Sequence, residues 1–390
     1  MKIVFATSHL TVYGGGGIFV QDYANELSNL GHDISVITQK INTGLYRFNE
    51  KVQIIEVGGY LPTNPLHWVQ LGYIRKKHQK ILKNINPDIV ISQNFQSNYF
   101  CYSNEPDNAW THIFYCHEPY RYFYDKVFYS HLPKLERISI WLLRLLFKHL
   151  DYKSVVHTDF LVCNSNFTKK RIKKHYDRDA IVFYPIQDMR DENEERINIR
   201  DKFNLPKEAL IVFTMGLTHH LKGIPELIEI FDLIKRESFE VNLLIGGWLT
   251  RENRNIIQSL IEKSSLPRNK IIFTDFIKPN NLKSYYSQST ITIYTSILEA
   301  FGQIPIESIR CGTPVIAFKS GGPSETIINN KTGFLIENLN LEEFAAKLIL
   351  LLNDSELRKK FSRNCLEYSE EKLKFGKAVS KFVDILKNLE

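Results

Sequence analysis

Twice along this chain a short apolar run stops at a turn and gives way to an amphipathic stretch that leads into another apolar run. This alternation limits the possible folds more than any other feature. Strands separated by helices pair in parallel, and a parallel sheet must be covered on both faces. The first series opens with Lys2 to Thr7, the glycines Gly14 to Gly17, the amphipathic Ile18 to Leu30 and, after a stop at Gly31, Asp33 to Thr38. Apolar runs at Ile89 to Ile91, Thr111 to Cys116, Phe160 to Asn164 and Ile181 to Tyr184 are predicted as further buried strands. The second series restarts with Ala209 to Met215, a helix near Ile224 to Lys235, and Val241 to Ile245. Strands are then predicted at Ile271 to Thr274, Ile291 to Thr295, Val315 to Phe318 and Gly333 to Ile336.

Between the two series, Gln187 to Lys207 is densely charged and has no apolar run long enough for a strand. The boundary is placed there, giving domains 1–187 and 188–375. A chain of 390 residues exceeds what one hydrophobic core usually serves. With 43% hydrophobic and 24% charged residues, both halves can bury a core, and an intrinsically disordered chain is excluded. The apolar start at Met1 reads as a first strand rather than an export signal. The cluster Ile138 to Leu150 is cut by Arg144 and Lys148 and falls short of the roughly 18–20 residues of a spanning helix. Five cysteines without a C-x-x-C spacing argue against a zinc site or a disulfide framework, so a cytoplasmic location is expected.

In open α/β sheets, ligands sit beyond the carboxyl ends of the strands, so a cleft between the two domains is the expected site. The strand Ile291 to Thr295 leads into Glu299-Ala300-Phe301-Gly302-Gln303-Ile304-Pro305-Ile306-Glu307, with Gly312 as the stop of the helix. Backbone N–H groups near Phe301 to Ile304 are expected at a helix amino end, where the dipole favours an anion such as pyrophosphate. Glu299 and Glu307 can accept hydrogen bonds from sugar hydroxyls, although either alone also reads as a solvated carboxylate.

These residues resemble the glycosyltransferase family 4 signature of two glutamates separated by seven residues, with Phe-Gly after the first and Gly-Thr-Pro-Val after the helix. The resemblance extends to Lys222-Gly223, to Ser320-Gly321-Gly322-Pro323-Ser324-Glu325-Thr326-Ile327, and to Thr332-Gly333-Phe334-Leu335. In the first half it takes in Gly14 to Gly17, His117 in Tyr115-Cys116-His117-Glu118-Pro119, Cys163 to Thr168, and Tyr184-Pro185.

The resemblance implies a GT-B fold, α/β, with two Rossmann-like domains facing each other across a cleft and a final helix, 376–390, packing back on the first. It also implies hexose transfer with retention of configuration from a nucleotide-diphosphate sugar, without a cofactor or an essential metal. Glu307 would hold the ribose and Glu299 the donor sugar. Lys222, with the amides of Phe301 and Gly302, would hold the leaving pyrophosphate, whose growing negative charge an ammonium and a helix dipole stabilise. His117 would approach the donor sugar near the reacting carbon. Gly15, Gly16, Gly216, Ala300 and Gln303 complete the donor set, and Glu118, Tyr120 and Arg121 are acceptor-side candidates. The Gly-Gly-Pro-Ser-Glu-Thr-Ile and Cys-His-Glu-Pro forms are similar to mannosyltransferases of the family, which favours GDP-mannose over UDP-sugars as donor. The acceptor class implied is a glycan or a lipid-linked sugar.

One position departs from the family. An Arg is usual after the glycine that precedes Lys-Gly, and here Gly216 is followed by Leu217. That removes a bidentate phosphate clamp, for which His219 or His220 would be a partial substitute. Asp177-Arg178-Asp179 has the form of a D-x-D metal motif, but in its basic surroundings it reads as a solvated turn. Residues 1–190 hold 23 Lys and Arg against 16 Asp and Glu, whereas the remainder is balanced at 27 each, so the whole excess of +7 lies in the first half. That half is expected to meet an acidic acceptor or an anionic membrane; nucleic acid is not expected as a partner. Lys134, Arg137, Trp141, Arg144 and Lys148 recur at helical spacing with Leu142, Leu145 and Leu146 off that face. The pattern fits an interfacial helix as well as a scaffold helix with a basic solvent face.

Other chemistries compete with sugar transfer. A dinucleotide-dependent dehydrogenase needs G-x-G-x-x-G and an acidic residue about 20 positions on. Here the last glycine position is Phe19, and the second strand ends in Thr38-Gln39-Lys40, so that reading fails. A sugar phosphorylase, a nucleotide-sugar epimerase and a non-catalytic nucleotide-sugar binder remain as alternatives.

Overall fold

Strands buried on both faces are written in near-continuous apolar residues, and β1 (Lys2–Ala6) has Ile3 to Ala6 completely buried. It is a central strand of a parallel sheet. It pairs on one side with β2 (Asp33–Thr38), Val4 opposite Ser35, and on the other with β4 (Ile89–Gln93), Val4 opposite Val90. The sheet continues through β3 (Gln53–Glu56) beyond β2, and through β5 (Thr111–Cys116), β6 (Phe160–Cys163) and β7 (Ile181–Val182) beyond β4. The second sheet has six parallel strands: β8 (Leu210–Met215), β9 (Val241–Gly246), β10 (Ile271–Asp275), β11 (Ile291–Tyr294), β12 (Val315–Phe318) and β13 (Gly333–Ile336). Their order is β10-β9-β8-β11-β12-β13. Both sheets therefore begin 3-2-1-4-5-6, the doubly wound Rossmann order, whose direction reverses beside the first strand.

This computed structural model describes residues 1–103, 110–189, 197–217, 220–234, 241–247, 249–264 and 266–389, the side chain of His220 excepted. The chain forms two compact units, Met1–Gln187 with Phe375–Glu390, and Asp188–Lys374. The last helix, Phe375–Leu389, belongs to the first unit because its apolar stripe is buried there. Phe382 stands 5.8 Å from the Phe19 ring, 5.2 Å from Tyr23 and 4.9 Å from Phe183. Each fully buried side chain of this size stabilises by roughly 1.5–3 kcal/mol. The core of the second unit is aliphatic, running from Val212 and Leu227 through Ile293 and Ile316 to Leu348.

Strand β3 is absent from the sequence reading. Its alternation is weak, with exposed Gln53 and Glu56 flanking two half-buried isoleucines, as an edge strand permits. The charged connection also differs in part. Residues 190–196 lie outside the description, but a short helix, Ile199–Lys202, follows them and is capped by Asn198. Buried Ile199 ties it to the second unit, its N–H donating to Gln288 Oε1 at 3.0 Å. The basic segment near residue 140 is one helix, Lys134–Val156. Among the described residues no helix is long and apolar enough to cross a membrane.

Candidate functional site

The reversal of strand order in the second sheet lies between β8 and β11, so the loops after these two strands adjoin. They are stapled together. Ile297 N–H donates to Leu221 O at 3.0 Å, Ser296 Oγ to the same carbonyl at 3.2 Å, and Thr295 Oγ1 to Gly223 O at 2.9 Å. Gly223 has φ of +71°, and a Cβ there would stand 2.0 Å from Thr295 O, so only glycine fits. A third loop, after β12, braces the first two: Gly322 N–H donates to Glu299 O at 3.0 Å and Ser320 Oγ to Ser296 O at 2.6 Å.

This bracing brings Lys222 and Glu299 together. Lys222 Nζ lies 2.5 Å from Glu299 Oε2 and 3.3 Å from the Tyr294 hydroxyl, which also donates to Glu299. All three side chains are largely buried. Burial alone would push the Lys222 ammonium towards neutrality, but Glu299 and Tyr294 outweigh it and hold its pKa above the ordinary lysine value. The lysine is therefore charged at any working pH.

Past Glu299, Gly302 takes φ of +87° as the N-cap of the helix Gln303–Arg310. Buried Ala300 and Phe301 pin the turn before it, and Gln303 opens the helix. Pro305 sits in the helix's first turn, where its missing N–H costs nothing. Glu307, further along, is held by the Tyr286 hydroxyl at 2.6 Å, and burial raises its pKa against the pull of Tyr286 and Arg310. Tyr286 also reaches the Met215 sulfur at 3.2 Å, and Gly216, with φ of +77°, lies against Ile304. Gly216, Lys222, Glu299 to Gln303 and Glu307 thus gather at the carboxyl edge of one sheet. Tyr294 and Tyr286 are absent from the sequence reading. The alternation Ile291-Thr292-Ile293-Tyr294 places Tyr294 on the face shared with Thr292, a usable signal, whereas nothing in the sequence links Tyr286 to Glu307.

Leu217 does not stand in for an arginine. It is 2% exposed and belongs to the aliphatic core with Ile224 and Leu227. Its carbonyl, rather than its side chain, is engaged by polar groups, accepting from Asn253 Nδ2 at 3.1 Å. His219 and the side chain of His220 lie outside the described residues.

In the first unit the corresponding reversal lies between β1 and β4, where the glycine loop meets Gln93. A Cβ on Gly16 would approach Gln93 Oε1 to 3.3 Å and His117 Nε2 to 3.5 Å, while Gly17 leaves room for the Tyr46 hydroxyl. Gly15, exposed at the start of the helix Gly15–Asn29, accepts from Gln187 Nε2 at 3.1 Å. His117, at the end of β5, pairs through Nε2 with Gln93 Oε1 at 2.9 Å, and burial lowers its pKa to about 4. With the Gln93 oxygen accepting, Nε2 carries the proton and neutral Nδ1 is an acceptor. Among the described residues the buried Gln93 Nε2 has no hydrogen-bond partner.

The acceptor-side candidates are all engaged, Glu118 and Arg121 with each other and Tyr120 with a neighbour. Glu118 pairs with Arg121 at 3.0 Å and with Arg171 at 3.7 Å, and the Tyr120 hydroxyl accepts from Gln96 at 3.1 Å. Asp177 and Asp179 pair with Lys173 at 2.7 Å and Lys169 at 3.0 Å, while Arg178 donates to carbonyls at the end of the helix Lys134–Val156. Asp177-Arg178-Asp179 is therefore a salt-bridged turn.

Known proteins match both units. Residues 13–186 match the model of Glycosyltransferase Family 4, and residues 195–367 that of Glycosyl transferases group 1. The chain is 27% identical to the Alpha-1,3/1,6-mannosyltransferase ALG2 of Saccharomyces cerevisiae over 80% of its own length and 69% of that protein's. It is 30% identical to the capsular polysaccharide biosynthesis glycosyltransferase CapM of Staphylococcus aureus over 45% of each. The matches thus span only about half the length of several curated relatives. Among solved structures, sucrose-phosphate synthase of Thermosynechococcus elongatus superposes with a TM-score of 0.82 at 18% identity, covering 100% of this chain and 99% of that one. At that identity the likeness is one of fold, and the fold is GT-B. With a family 4 module in its first unit and a group 1 module in its second, the chain belongs to the family 4 glycosyltransferases.

Proposed function

We propose that the chain transfers a hexose, with retention of configuration, from a nucleotide-diphosphate sugar to a glycan or lipid-linked acceptor, and that the donor is GDP-mannose. The observation that carries this reading is the Lys222–Glu299–Tyr294 cluster at the strand-order reversal of the second sheet, followed by Glu307 along the helix. Without donor the ammonium and carboxylate satisfy each other. Donor binding would part them, turning Lys222 to the phosphate oxygens and Glu299 to sugar hydroxyls, with Glu307 taking the ribose. As the bond to the anomeric carbon breaks, negative charge grows on the departing diphosphate. Lys222 and the amino end of the helix Gln303–Arg310 are suited to stabilise it.

For the first unit we infer recognition of uncharged sugar hydroxyls by the backbone at Gly16, by Gln93 Nε2 and by neutral His117. Glu118, Tyr120 and Arg121 are already engaged, and we assign them to shaping that edge. The lean towards mannose is supported by the resemblance of the Gly-Gly-Pro-Ser-Glu-Thr-Ile loop to mannosyltransferases and by the mannosyltransferase named among the relatives. We infer that no metal takes part, so chelation should leave turnover unchanged.

The test is hydrolysis of GDP-mannose and of UDP-sugars by the wild type and by Glu299→Ala. Turnover of GDP-mannose above that of UDP-sugars, lost in the variant, is expected, and an α-configured product should form from the α-configured donor. Binding without turnover would mark a non-catalytic module. Sugar phosphate formed from free phosphate would mark a phosphorylase, and an inverted anomer would end the retaining reading.

A further inference from the structure

The helix Lys134–Val156 is apolar on two opposite sides, and only one of them faces the protein. Ile140 and Val155 are buried, and Leu143, Phe147 and Leu150 pack on the core of the first unit. The opposite side carries Leu135 at 80% exposed, Ile138 at 57%, Leu142 at 45%, Leu145 at 66% and Leu146 at 56%, with Trp141 at 55% along its edge. A scattered exposed leucine needs no explanation, but a contiguous row of this kind along one helix marks an interaction surface.

Charge identifies the partner. Arg137, Arg144 and Lys148 recur at helical spacing along one flank of the apolar row. From 126 to 149 the sequence offers Lys126, Lys134, Arg137, Arg144 and Lys148 against the single acidic Glu136. The Arg144 guanidinium stands 5.5 Å from the Tyr129 ring centre and Lys148 Nζ 4.8 Å from that of Tyr124, so both cations rest on aromatic rings at the margin of the row; Arg137 and Arg144 are half-buried, whereas Lys126, Lys134 and Lys148 are exposed. A second copy packed antiparallel along the row would bring a basic flank against a basic flank, which disfavours that association. An apolar row with a tryptophan at its margin and a cationic border fits the interface of an anionic lipid bilayer.

We propose that the helix Lys134–Val156 lies in the plane of an anionic membrane, its leucine row among the acyl chains and the exposed Lys134 and Lys148 on the lipid phosphates. At 23 residues the helix offers a contact line about 35 Å long. The proposal does not depend on the sugar-transfer reading, because lipid binding is read without donor or acceptor.

The test is co-sedimentation of the full chain with vesicles of phosphatidylcholine alone and of phosphatidylcholine mixed with phosphatidylglycerol. The wild type should bind the anionic vesicles at least tenfold more tightly and lose binding as salt is raised. Leu142→Ser with Leu145→Ser should lose at least tenfold in affinity for the anionic vesicles. Lys134→Ala with Lys148→Ala should lose most of the preference for anionic lipid. Both pairs lie on the solvent side, so an unchanged Tm accompanies these losses, and Trp141 emission should shift to the blue on binding. Absence of wild-type binding to either vesicle overturns the proposal, as does unchanged binding by the serine pair. A dimer abolished by the serine pair, without vesicle binding, would assign the face to a second copy. Capture of a soluble acidic protein without vesicle binding would likewise overturn the membrane assignment.

Discussion

The carboxyl edges of the two sheets have the same strand order and opposite chemical character. At the edge of the second unit an ammonium and two carboxylates are held by tyrosine hydroxyls, and three loops are stapled so closely that a methyl group at Gly223 or Gly322 would strike backbone. At the edge of the first unit the groups beside the glycine loop are uncharged, namely its backbone, the Gln93 amide and an imidazole kept neutral by burial, and the charged Glu118 and Arg121 near them are paired with each other. One scaffold thus offers fixed charge in one copy and neutral hydrogen bonding in the other.

The division is most exposed to test at Lys222. Lys222→Ala should slow donor hydrolysis by about 100- to 1,000-fold, roughly 3–4 kcal/mol, as removal of one electrostatic donor does at comparable sites. A loss below about fivefold in initial rates would mean that the second unit does not supply the charge.

Leu217→Arg separates core from site. With its side chain in the aliphatic core, an arginine there should cost about 3 kcal/mol of stability, read as a lower urea midpoint. Native stability with tighter donor binding would show instead that the position faces the phosphates.

The first unit should carry the acid sensitivity. His117 has a folded pKa depressed to about 4, below its ordinary 6.5. Its contribution is therefore present above pH 6.5 and lost as pH falls towards 4, at most roughly 3 kcal/mol. His78, at about 4, and His112, at about 3, act in the same sense. Asp151, raised by burial to about 7, acts in the opposite one, its contribution disappearing as pH rises from 3.8 through 7. An NMR titration should place the His117 midpoint near 4; a midpoint near 6.5 would show a solvated, chargeable imidazole.

The smallest effect is expected at Tyr286. Tyr286→Phe removes one hydrogen bond to Glu307 and should weaken donor binding about fivefold, near 1 kcal/mol by titration calorimetry. An unchanged affinity would leave Glu307 independent of its support.

The parallel order of both sheets was legible because buried strands are continuous apolar runs and the glycines punctuate them. Edge strand β3 was not, since half-burial leaves it no such signature. At the site, Glu299, Glu307 and Lys222 were legible through the spacing that a resemblance to family 4 makes meaningful. Their tyrosine partners were not, because Tyr286 reaches Glu307 from a separate helix. The replacement at Leu217 was visible as a departure, but only the packing shows that the residue belongs to the core.

The central claim is that the charged edge of the second unit holds a nucleotide sugar. Calorimetric titration of GDP- and UDP-sugars into the wild type, Glu307→Ala and His117→Ala tests it most directly. The wild type should bind at least one of them, Glu307→Ala at least tenfold more weakly, and His117→Ala with a smaller loss. Absence of binding to any of these sugars by the wild type, or unchanged affinity in Glu307→Ala, would contradict it.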